Sequence, residues 1–118
     1  MRIVIQYEGK SVELESIATP LPGPEHILGD VRLAIPAALY VDILAYNEQV
    51  EALSAGSLAA SAFGRARIQL IYRTLLRNWP ELPEGWVRAH LDIENIDTLQ
   101  AAVLRQGVSP GEGAAESA

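Results

Sequence analysis

The chain carries two histidines, His26 and His90, and no cysteine, so thiolate nucleophiles, disulfides and thiolate metal sites are excluded from the outset. His90 falls in the stretch "RNWPELPEGWVRAHLDI", Arg77 to Ile93, which also holds both tryptophans and two prolines. A histidine serves as base or ligand when a partner stands at triad or metal-ligand spacing. None does here, and His90 reads as a partly buried or surface residue beside Trp86 and Leu91. His26, in a proline-rich loop, fares no better. Glu8, Glu13 and Glu15 lie where strand alternation turns them to water, which leaves a carboxyl unsuited to acid/base work at neutral pH. "GEG" and "PGP" lack both the strand–loop–helix setting and the lysine of a phosphate cradle. The sequence therefore predicts no catalytic residue, no cofactor, no metal site and no enzyme.

One polar pattern remains. Arg65, Gln69, Arg73 and Arg77 recur every four residues and form one strip along a helix. Such a strip either faces water, paired with the chain's own glutamates, or docks an acidic segment of a partner. If it docks a partner, reversing Arg73 and Arg77 together should weaken binding and leave the fold intact. If it only faces water, the apolar surroundings of Tyr40 and Trp79 are where a protein-binding surface should be sought. A helix-turn-helix reading of "LLRNWPELPEGWVRAHL" is disfavoured. Its second helix would enter a groove with Trp86, Val87 and Leu91 and only Arg88 and His90 to read bases.

The 118 residues amount to one domain, expected to span residues 1–107 with a disordered tail over 108–118. Fifteen acidic residues against nine basic give a net charge of −6, which argues against nucleic acid or an anionic membrane as partner. The N-terminus alternates apolar with polar and is not a signal peptide, and no apolar run approaches the ~20 residues of a membrane span. A cytoplasmic protein is expected.

These residues must be positioned by an α+β fold that is mainly helical. "RIVIQYEGKSVELESI" predicts a β-hairpin, with Gly9 in a two-residue turn and Ile3, Ile5, Tyr7, Val12 and Leu14 on one face. "ATPLPGPEH" is a stiff extended connector, and Val31, Leu33 and Ile35 suit a third strand. Residues 1–35 thus form the hairpin and connector, and 36–107 the helical part. Pro36 is expected to open the first helix, where Leu39, Ile43, Tyr46, Val50 and Leu53 form an apolar stripe. Gly56 should stop it and Ser57 cap the next.

The second helix, from about Leu58 to Asn78, is apolar around more than half its circumference, as suits a central helix. Pro80 should end it at Trp79, and Pro83 should restart a short helix carrying Trp86, Val87 and Leu91. Asp92 or Asn95 then caps a last helix that Gly107 stops. The tryptophan-rich stretch is thus a corner between helices. The expected core includes Leu39, Ile43, Val50, Ile71, Leu75, Trp86, Leu99 and Val103.

The order of parts resembles the small tail assembly chaperones of long-tailed bacteriophages and prophages. The resemblance is carried by "LAIPAALYVDILAYNEQV" and "LIYRTLLRNWPELPEGWVRAHLDIENIDTLQAAVLRQG" and covers about two-thirds of the chain. A helix ending at a proline, a short tryptophan-valine helix and an "L-D-I-E-N" turn before a leucine-rich helix are shared features. The resemblance implies a non-enzymatic role in the host cytoplasm, outside the mature virion. The chain would bind the long helical tape measure protein and help bring tail tube protein to it, directly or through a frameshift-extended form. A homo-oligomer is compatible with that role. Two other classes fit the same sequence: a structural neck or tail-completion subunit, and a small intracellular adaptor or antitoxin-like protein.

Overall fold

The computed structural model describes residues 1–105 and has the element order β-β-β-β-α-α-α-α. Strands β1 (Arg2–Tyr7) and β2 (Lys10–Glu15) form an antiparallel hairpin in the register Ile3↔Leu14, Ile5↔Val12, Tyr7↔Lys10. Its two-residue turn places both Glu8 (φ 53°) and Gly9 (φ 77°) in the left-handed region, as a type I′ loop requires. Ile5 and Leu14 are buried and Ile3, Tyr7 and Val12 pack against the core, so the apolar face expected of this hairpin is the inner one.

A second hairpin follows, where the sequence suggests a connector and a third strand. Strands β3 (Glu25–Leu28) and β4 (Val31–Ala34) pair antiparallel around Gly29-Asp30, with Gly29 at φ 63°. His26 is therefore a strand residue, not part of a proline-rich loop. β4 does not extend the first sheet by hydrogen bonding. It lies against β1, and each sheet keeps two strands. The approach to β3 is tight: a Cβ built on Gly23 would stand 1.8 Å from the Ile35 carbonyl oxygen. Next to it, the Ile35 N–H donates to the Pro24 carbonyl at 2.8 Å.

Helices α1 (Tyr40–Ser54), α2 (Ala60–Leu75), α3 (Glu84–His90) and α4 (Ile96–Leu104) complete the α+β fold. As expected, α2 is central and packs on each of the other three. Pro36 does not open α1, which begins four residues later. The segment before it is extended because its backbone groups are engaged elsewhere. Ala38 N–H donates to the Val103 carbonyl, and the Ala37 carbonyl accepts from Arg77. Leu39, expected in the core, is consequently the extended residue ahead of the helix and is 43% exposed.

The stop at Gly56 follows the sequence closely. Gly56 has φ 78°, its N–H donates to Leu53 O, and the Ser57 N–H reaches Ala52 O, the paired bonds of a Schellman motif. Ser57 is spent on this closure, its hydroxyl also donating to Ala52 O, so it does not cap α2. The start of α4 uses both candidate caps at once. Asp92 Oδ1 accepts from Glu94 and Asn95 N–H, while Asn95 Oδ1 accepts from Asp92 N–H, a reciprocal arrangement like a capping box. The left-handed residue that ends α4 is Arg105, φ 58°. Gly107, the expected stop, and the tail 108–118 lie outside the described residues.

The core joins both hairpins to all four helices. Ile71, Leu75, Trp86, Leu99 and Val103 are buried as expected, and Ile43 and Val50 pack against them from α1. No helix among the described residues is long and apolar enough to cross a membrane.

Candidate functional site

The tryptophan-rich stretch is a structural corner. Leu75 ends α2, two turns of chain follow, and Trp79, Leu82, Trp86 and Val87 all point inward. The face of α3 that a helix-turn-helix would present to DNA is thus the buried one. His90 is half-buried, with its ring centroid 4.8 Å from that of Trp86 and its Nδ1 2.8 Å from the Trp86 carbonyl oxygen. Its other edge covers Gly29, where an added Cβ would meet the imidazole at 3.1 Å. The histidine closes the corner over the second hairpin.

The residue that ties this corner together is Asn78, which is 1% exposed. Its side-chain amide donates to the Leu21 carbonyl at 3.0 Å and its Oδ1 accepts from the Leu21 N–H at 2.7 Å. Its own carbonyl accepts from Ile17 N–H at 3.0 Å. An asparagine side chain here supplies the backbone pairing that the proline-rich connector cannot obtain from a strand. Tyr72 contributes nearby: its hydroxyl donates to the Leu82 carbonyl, and burial first, then the Glu84 charge, raises its pKa above 10.0.

The arginine strip divides on inspection. Arg73 Nε donates to Asp42 Oδ1 at 2.9 Å, and Asp42 is 8% exposed. Arg77 Nη1 donates to the Ala37 carbonyl at 2.6 Å. Gln69 bonds Glu84, which also receives Arg88. Two of the three strip arginines, Arg73 on α2 and Arg77 just beyond its end, thus fasten this segment to the start of α1 and its approach, although Arg73 remains partly in water. Reversing Arg73 would set a second carboxylate against the nearly buried Asp42, so the reversal carries a cost in stability that a solvated charge would not. Arg65 is exposed and forms no ion pair among the described residues. Arg67, outside the strip, bonds Gln100 and Asp97, and Gln100 in turn donates to the Tyr46 hydroxyl.

Of the two aromatic residues proposed for binding, Trp79 is 3% exposed and presents no surface, whereas Tyr40 is 73% exposed. Tyr40 belongs to a larger patch with Val41 (64%), Leu44 (44%) and Leu39. On a helix, Tyr40 and Leu44 are successive residues of one face, opposite the side that buries Asp42 and Tyr46. Val41 and Leu44 escape a reading based on one apolar stripe. The available signal is that apolar residues occur on both sides of α1, more than one core can absorb. Arg73 and Arg77 both reach the beginning of α1 and its approach, Tyr40 stands on the outer side of that helix, Arg65 lies two turns further back on α2, and Trp79 is separated inside the corner.

The site is the outer, apolar face of α1, while Arg73, 58% exposed along its side chain, is held by Asp42 on the other side of the helix. Its chemistry is recognition of another apolar surface. Among the described residues no group of three or more His, Asp or Glu side chains is placed to hold a metal ion. Comparisons of the chain with protein families, with curated proteins and with solved structures yield no match.

Proposed function

We propose that the chain is a binding protein of the tail assembly chaperone type, which engages amphipathic helical segments of a tape measure protein on the outer face of α1. The observation that carries the reading is the exposed group Leu39, Tyr40, Val41 and Leu44. Isolated apolar residues on a surface need no explanation, but a contiguous set on one rigid element marks a recognition surface. A helix lying along it would bury its own apolar stripe. Each contact is small, so binding to one segment is weak. A long client with many similar segments compensates by repetition. The order of parts in the sequence supports the client's identity, and with it a non-enzymatic role in the host cytoplasm and a link to tail tube protein.

Co-expression tests the reading. A tape measure protein from the same genome, insoluble alone, should gain soluble yield and co-purify with this chain. No gain in yield and no complex would refute it. Detection of the chain in purified particles would favour a structural neck or tail-completion subunit instead.

A further inference from the structure

We draw no further inference here: the strongest candidate, the exposed apolar patch of Leu39, Tyr40, Val41 and Leu44 on the outer face of α1, belongs to the site already described, and nothing in the structure shows what else covers it.

Discussion

Replacing Asn78 by alanine should destabilise the protein far more than a loss of one polar side chain outside any active site would suggest. The side chain makes two bonds to the backbone of Leu21, both to groups within a proline-rich segment that has no strand partner at that point. Each such bond contributes about 1 kcal/mol net, and a buried group left unpaired costs about 1–3 kcal/mol more. Leu21 is only half-buried, so water can reach part of what is lost. The sum is about 2–4 kcal/mol, equivalent to roughly 10 °C in Tm for a domain of this size. Urea denaturation measures the first quantity. Hydrogen exchange at the Leu21 amide measures the cause, because that N–H should lose its protection before the core does. Asn78→Asp keeps the acceptor and removes the donor, and it places a carboxyl in a buried position. Burial should raise that carboxyl's folded-state pKa above its unfolded value, so this variant should regain stability as pH falls and lose it as pH rises. An unchanged urea midpoint in Asn78→Ala, with Leu21 exchange as in the wild type, would refute the reasoning.

Trp86→Ala and Leu75→Ala should each cost about 3–5 kcal/mol in thermal or urea melts, since both side chains are fully enclosed. Gly23→Ala should destabilise by about 2 kcal/mol or more, because the new methyl meets the Ile35 backbone oxygen and no side chain can yield to it. The check is the urea midpoint, with Gly64→Ala, where the space is open, as control. Arg73→Glu should cost about 1–2 kcal/mol, less than a fully buried pair because Arg73 is largely in water. The double substitution Arg73→Glu, Asp42→Arg should recover part of that loss in a double-mutant cycle.

What was legible in the sequence follows from how local the controlling interaction is. The Glu8-Gly9 hairpin and the Gly56 stop are specified by residues within a few positions of each other, and they appear where the residue types place them, whereas α2 ends at Leu75, short of the expected Trp79. The second hairpin was less visible, because its first strand begins directly after three prolines and only its later half alternates cleanly. The start of α1 could not be read at all from Pro36. It is set by Val103 and Arg77, more than thirty residues away, which take up the backbone groups a first turn would need.

The candidate site was half legible for the same reason. Helical spacing suggested one strip through Arg65, Arg73 and Arg77, but α2 ends at Leu75, and a carboxylate on α1 and a carbonyl before it take up Arg73 and Arg77. Tyr40 emerges at the surface, while Trp79 disappears into a corner whose closure depends on Asn78 and the remote Leu21. Val41 and Leu44 carry the site with Tyr40, and their exposure depends on which side of α1 the rest of the chain occupies.

The most direct test of the proposed role is a calorimetric titration of an amphipathic tape measure segment into the wild type and Leu44→Glu. The wild type should bind, and Leu44→Glu, folded by circular dichroism, should lose at least about tenfold in affinity. Equal binding by the two proteins would contradict the assignment of α1 as the client surface, and no binding by either would contradict the chaperone reading itself.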